Sequence, residues 1–174
     1  MSDHQIRGGD AALQTVRDAV RKLGARFDDA VLDATKSLYS PWLPSGQAGT
    51  SVSSDVPYGS HARHRIDLYR PKDVGSPSPM LLYVPGGGFV GGDKDMGEGF
   101  YANVGHWFAA QGFLVAVMNY RLAPAFGWPA GSEDVAAAVR WLAGQAASLG
   151  GNADRLFAIG QSAGATHVAG ALFD

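Results

Sequence analysis

Residues 159–166 read IGQSAGAT, a serine set between two glycines where an apolar run ends. The preceding RLFAI (155–159) has the texture of a buried strand, and the following AGATHVAGAL (163–172) is an apolar helical run. A chain passing from strand to helix through G-x-S-x-G must bend sharply, which strains the serine backbone and lifts its hydroxyl above the sheet. Side chains two positions to either side would collide in such a bend, hence Gly160 and Gly164. The helix beginning at Ala163 offers free N–H groups and a positive dipole end to developing negative charge. The bland alternative is a glycine-flanked turn in which Ser162 caps the helix. Placement after a buried strand argues against it.

Upstream, the chain alternates strand and helix. MLLYV (80–84), FLVAVMNY (113–120) and RLFAIG (155–160) are near-continuously apolar, as expected of parallel strands buried on both faces. Helices are expected near residues 98–111 and 132–148, the second with Ser132 as N-cap, Glu133 and Asp134 in its first turn, and Val135, Ala138, Val139 and Leu142 as its buried stripe. The fold class is therefore α/β with a mainly parallel sheet. Before it, SVSSDVPYG (51–59) and HRIDLYRP (64–71) suggest a hairpin.

Residues 1–48 read as a helical arm ahead of the α/β domain at 49–174. Ala12, Leu13, Val16, Val20 and Leu23 recur at helical spacing between an expected N-cap at Asp10 and a stop at Gly24, and Phe27, Ala30, Val31, Ala34 and Leu38 repeat the pattern.

At 174 residues, 46% hydrophobic and 17% charged, the composition is that of one globular domain with a core. A net charge of −2 with scattered arginines leaves no polycationic surface for nucleic acid. With no cysteine there is no disulfide framework or thiol nucleophile, and a reducing cytoplasm suits the chain. The N-terminus lacks the apolar run of a signal peptide, and FLVAVM is too short to span a bilayer.

The second chemical element is YVPGGGFVGGD (83–93), directly after the first buried strand. Acyl transfer needs donors aimed at an oxyanion, and a glycine-rich loop supplies backbone N–H groups without obstruction. Here those are Gly87 and Gly88, with Ala163 following the nucleophile. Gly86, Gly88 and Gly91 also satisfy the dinucleotide pattern G-x-G-x-x-G. That reading fails on context, because the next strand ends in Asn119, Tyr120 and Arg121 without a ribose-binding acid, and the glycines do not run straight into a helix. No cofactor is expected.

PGGGF, NYRLAP (119–124), WPAGSEDVAAAVRWL (128–142) and GQSAG, in that order, resemble the α/β-hydrolases of the hormone-sensitive-lipase-like and related carboxylesterase type. The resemblance covers roughly residues 50–174. It implies a cofactor-free esterase for carboxylic esters of small to medium acyl groups, with Ser162 as nucleophile, Gly87, Gly88 and Ala163 as oxyanion donors, and the N-terminal helices as part of a cap. Two positions depart from the family pattern. Pro85 stands where a histidine usually braces the glycine loop, and Gln161 replaces an acidic residue common beside the serine.

The serine needs a base oriented by a third group, and in α/β-hydrolases these follow in the order Ser, Asp or Glu, then His. Among His4, His61, His64, His106 and His167, only His167 follows Ser162. Five positions along the same helix, it points away from the elbow and is expected to be packed or solvated. His61 and His64 lack further ligands for a metal site, His106 is expected on a surface or core-edge helix face, and Asp154 before the serine's strand, at the opposite edge of the sheet from the site. The expectation is thus the first half or more of an esterase of roughly 300 residues, inactive or nearly so alone, with a small-molecule ester as its substrate. A complementing C-terminal segment and a second copy of the chain are the protein partners left open. An amidase or arylformamidase on the same scaffold, and a non-catalytic binding protein, are the alternatives.

Overall fold

The computed structural model describes residues 9–42, 49–72, 77–97 and 99–173. The chain divides into two compact units, Met1–Pro44 and Ser45–Asp174.

The first unit holds helices α1 (Gly9–Leu23) and α2 (Asp29–Tyr39), followed by a 3₁₀ turn at Ser40–Trp42. Helix α1 begins one residue before Asp10, so Asp10 is inside the helix and not its cap. Gly24 does end it, at φ 72°. Within the expected stripe Val16 is buried, whereas Leu13 and Val20 stay exposed. Asp28 caps α2, its carboxylate accepting from the Val31 N–H at 2.9 Å. Phe27, which the helical pattern had included, precedes the cap and is almost fully exposed.

The second unit is a five-stranded sheet, β1 (Thr50–Pro57), β2 (Arg65–Pro71), β3 (Ser78–Val84), β4 (Leu114–Met118) and β5 (Gly151–Gly160), in the order β1-β2-β4-β3-β5. β4, β3 and β5 run parallel, and the antiparallel hairpin β1–β2 extends the sheet beyond β4. Helix α3 (Phe100–Ala110) joins β3 to β4, α4 (Ala130–Leu149) returns from β4 to β5, and α5 (Ala163–Phe173) follows β5.

The period-2 alternation of the strands sorts the core into two layers. Leu82, Met80, Leu114, Ala116, Ile66 and Leu68 pack with Val135, Ala138 and Leu142 of α4. Leu81, Tyr83, Val115, Val117 and Tyr69 pack with Tyr101 and Ala109 of α3. Helices on both faces explain why β3 and β4 read as continuous apolar runs. β5 breaks that expectation. Leu156 and Ala158 pack into the α4 layer, but Phe157 and Ile159 on the opposite face are 51% and 40% exposed. β5 lies at the end of the strand order and is covered on one face only.

Helix α4 starts earlier than its sequence pattern suggested. Its N-cap position is Pro129, which places Ser132 inside the first turn, buried, with its hydroxyl unpartnered. Ser132 is therefore not the cap.

Candidate active site

β3 lies between β4 and β5, and helix α3, which leaves β3, packs on one face of the sheet while α5, which leaves β5, packs with α4 on the other. Such a reversal leaves a crevice at the carboxyl ends of the strands. Two segments emerge there side by side because Val84 pairs with Gly160 across the β3–β5 ladder: the glycine loop after β3 and the serine bend after β5.

Backbone bonds close the bend. The Gln161 N–H donates to the Val84 carbonyl at 3.1 Å, and the Gly164 N–H donates back to the Gln161 carbonyl at 2.8 Å. Closing so tight a turn forces Ser162 to φ 52°, a left-handed conformation uncommon for a side-chain-bearing residue. Both flanking glycines are steric necessities. A Cβ at Gly164 would strike the carbonyl oxygens of Val84 and Pro85, and one at Gly160 would lie 2.5 Å from the Ala165 nitrogen. Ser162 itself is exposed.

The glycine loop reaches the serine directly, since a Cβ on Gly86 would come within 3.2 Å of Ser162 Cβ. Gly87, at φ 146°, folds the loop onto itself, its carbonyl accepting from the Gly91 N–H at 2.9 Å. The Gly86 N–H is directed to the Tyr101 hydroxyl at 3.3 Å and to Gln161 Oε1 at 3.4 Å. Among the described residues no acceptor is recorded for the N–H groups of Gly87, Gly88 or Ala163. The three expected donors thus lie on the two segments that meet at Ser162, the glycine loop and the start of α5.

Residues the sequence did not point to hold the rear of this loop. The Asn119 side chain accepts from the Lys94 N–H at 2.6 Å and donates to Asp93 at 2.8 Å. Arg63 donates to the Gly92 carbonyl at 2.8 Å and to the Tyr120 carbonyl at 2.7 Å. Lys94 is buried and pairs with Asp55 and Asp67, both at 2.9 Å. Burial depresses its ammonium, but the hydrogen bonds to Asp55 and Asp67 outweigh that and raise it overall. Only the GGD that ends the quoted loop hinted at this cluster.

Asp134 also differs from expectation. It is fully buried, accepting from the Arg121 backbone at 2.7 Å and from its guanidinium at 2.8 Å, with His64 Nε2 at 3.1 Å. His64 Nδ1 accepts from the His61 N–H at 3.3 Å, so the Nε2–H donates to Asp134. Asp134 ties the segment after β4 to helix α4, a role the helix-dipole explanation missed. Glu133 joins from outside, accepting from Arg121 at 3.0 Å.

The remaining expectations for histidines and acids resolve as follows. His106, on α3, meets Thr50 Oγ1 at 2.8 Å and packs edge-on against Tyr69, a core-edge position. His167 is buried against Gly131, Phe89 and Tyr120, with neither ring nitrogen partnered. Burial pushes its imidazole below the ordinary value, against a smaller opposite pull from Asp134. Asp154 lies inside the N-terminal half of β5, at the end remote from Ser162, and not before the strand. His4 lies outside the described residues. No described histidine or carboxylate hydrogen-bonds Ser162 Oγ, and no group of three or more described His, Asp or Glu residues could hold a metal ion. No described helix is long and apolar enough to cross a membrane.

A pocket of about 340 Å³ adjoins the crevice, lined by Phe89 of the glycine loop, Phe126, Trp128, and Thr166 and His167 of α5. Its walls are mostly apolar. It offers room for a short hydrocarbon or aromatic group beside the serine bend.

Comparison with known proteins gives the family. The BD-FAE family matches residues 66–172. The chain is 36% identical over 125 residues to the probable isoprenylcysteine alpha-carbonyl methylesterase ICMEL1 of Oryza sativa subsp. japonica, covering 69% of this chain and 27% of that protein. It is 36% identical over 110 residues to esterase LipC of Mycobacterium tuberculosis, covering 63% of this chain and 27% of that protein. Esterase B from Lactobacillus rhamnosis superposes with a TM-score of 0.64 at 23% identity, over 89% of this chain and 47% of that one, a likeness of fold. The chain thus spans about a quarter of the length of these curated relatives. Strand order, serine bend and family match agree: the chain belongs to the BD-FAE family and carries the α/β-hydrolase fold of its esterase relatives.

Proposed function

We propose that these residues carry the nucleophile and oxyanion half of a serine carboxylesterase for esters of small to medium acyl groups. The observation that carries the reading is the exposed Ser162 at φ 52° beside three backbone N–H groups with no recorded acceptor. Ser162 Oγ attacks the acyl carbon, and its proton passes to a general base. The carbonyl oxygen becomes an oxyanion held by the N–H groups of Gly87, Gly88 and Ala163. Collapse of the tetrahedral intermediate expels the alcohol, which takes the proton, and leaves the acyl group on Ser162 for hydrolysis by water. The apolar pocket beside Phe89 accommodates the acyl group. Acyl transfer by this route requires no cofactor. The base and its acidic partner are assigned to polypeptide outside the described residues, since none stands at Ser162 Oγ among those described.

The absence of a described partner at Ser162 favours one second reading, a binding protein that retains the fold without turnover. An activated ester separates the two. From 4-nitrophenyl acetate at mildly alkaline pH, buffer base takes the Ser162 proton and the nitrophenolate departs without protonation, while attack of water on the less activated acyl-serine is slower, so the acetyl group accumulates on the protein. The esterase reading expects one acetyl group on the peptide containing Ser162, lost in Ser162→Ala. The binding reading expects none on the folded chain. Replacing the ester by an N-formyl amide tests the amidase variant.

A further inference from the structure

Pro85 leaves the glycine loop without the histidine brace of related hydrolases, yet the loop is braced. We infer that Gln161 and Tyr101 are positioning residues that aim the Gly87 and Gly88 amides at the oxyanion. The inference rests on the esterase reading above for what the amides do, but not for the brace itself.

Gln161 is the residue through which the serine bend and the glycine loop are joined. Its backbone N–H is fixed to the end of β3 and its carbonyl to the first turn of α5, at 3.1 and 2.8 Å. Its side chain then has little freedom except toward the loop. There Oε1 accepts a 2.7 Å bond from the Tyr101 hydroxyl, and the two oxygens share the Gly86 N–H at 3.3 and 3.4 Å. Tyr101 is buried against Tyr83, and burial raises its phenol, so it remains a donor at neutral pH. On the other side of the loop the Tyr120 hydroxyl donates to the Pro85 carbonyl at 3.0 Å. The Pro85–Gly86 peptide group is thereby pinned at both its carbonyl and its N–H. With Gly86 turned back into the protein, the next two N–H groups are left for a ligand. A glutamate at 161 would offer the same acceptor. A leucine would not.

The test compares Gln161→Leu, Gln161→Glu and Tyr101→Phe in the full 174-residue chain. Gln161→Leu and Tyr101→Phe are expected to speed amide exchange at Gly86 by about tenfold, the loss expected of one hydrogen bond. The backbone order parameters of Gly87 and Gly88 fall toward the flexible range, below about 0.6, and Gln161→Glu retains both values. Amides of β3 stay unchanged, which separates loop release from general loosening. In the same variants the rate of Ser162 acetylation at saturating 4-nitrophenyl acetate falls about tenfold with half-saturation unchanged, and Gln161→Glu restores it. Unchanged exchange and order in both Gln161→Leu and Tyr101→Phe would overturn the inference, as would loosened amides with acetylation at the wild-type rate. If the wild type is not acetylated, the esterase reading fails while exchange and order still decide the brace.

Discussion

β3 and β5 are hydrogen-bonded neighbours with similar apolar sequences, yet they occupy different environments. Leu82 of β3 is fully buried in the α4 layer and Leu81 in the α3 layer, whereas Phe157 of β5, paired beside Leu81, is 51% exposed. β3 supplies the rigid floor from which the glycine loop springs. β5 carries the serine on a strand covered on one face. Apolar runs therefore mark strands reliably but say little about how many faces a strand has covered, which depends on where the topology places it. The glycine loop is braced mainly from the covered side, by Tyr101 of α3, Asn119 and Tyr120 just after β4, and Gln161 of the serine bend, with Arg63 of the β1–β2 connection at its rear.

This contrast can be broken by substitution. Leu82→Ala, in the doubly covered layer, should cost about 3 kcal/mol or more in denaturant unfolding. A loss below about 1 kcal/mol would mean the β3 floor is less closely packed than described. Asp134→Ala follows at about 3 kcal/mol, because it strands the Arg121 guanidinium and the His64 ring, and a negligible change would show that pairing to be ornamental. Ser162→Gly acts in the opposite direction. By relieving the φ 52° backbone it should stabilise the fold by about 1 kcal/mol while abolishing acetylation. A destabilised variant would argue that the bend is unstrained.

The pH profile sharpens the same picture through His167. Its folded imidazole lies below the ordinary value because it is buried. Protonation therefore favours the unfolded chain once pH drops below about 6.5, and stability is lost as pH falls from there through the lowered folded value. His167→Gln should flatten that decline, leaving a part owed to His106, which burial also lowers. An unchanged slope would place the proton elsewhere. The smallest effect belongs to the open face: Phe157→Ser should alter stability by no more than about 0.5 kcal/mol, and a larger loss would show that something covers β5 in solution.

Much of this was legible in the sequence because local physics dictated it. Gly160, Ser162 and Gly164 announce a bend that only glycine neighbours permit, and the strand and helix alternation fixes which ends of the strands they share. What escaped were interactions between residues distant in the chain. Asp134 looked like a helix-terminal charge until the β4 exit brought Arg121 and His64 to it. Lys94 carries no local signal of burial, and only β1 and β2 bring Asp55 and Asp67 to it. Gln161 read as a departure from a family pattern, and only the placement of α3 shows Tyr101 at its side chain. Ser132 misled because a good capping residue two positions inside a helix is indistinguishable by type from one at its start.

The central claim is that Ser162 is a nucleophile facing an amide cradle, and a phosphonate probe reads it directly. After the folded chain is treated with an aryl alkylphosphonate ester, peptide mapping by mass spectrometry locates the adduct. A single phosphonyl group on Ser162, absent in Ser162→Ala and slowed in Gln161→Leu, is the expected result. A folded chain left unlabelled, or labelled equally after Ser162→Ala, would contradict it.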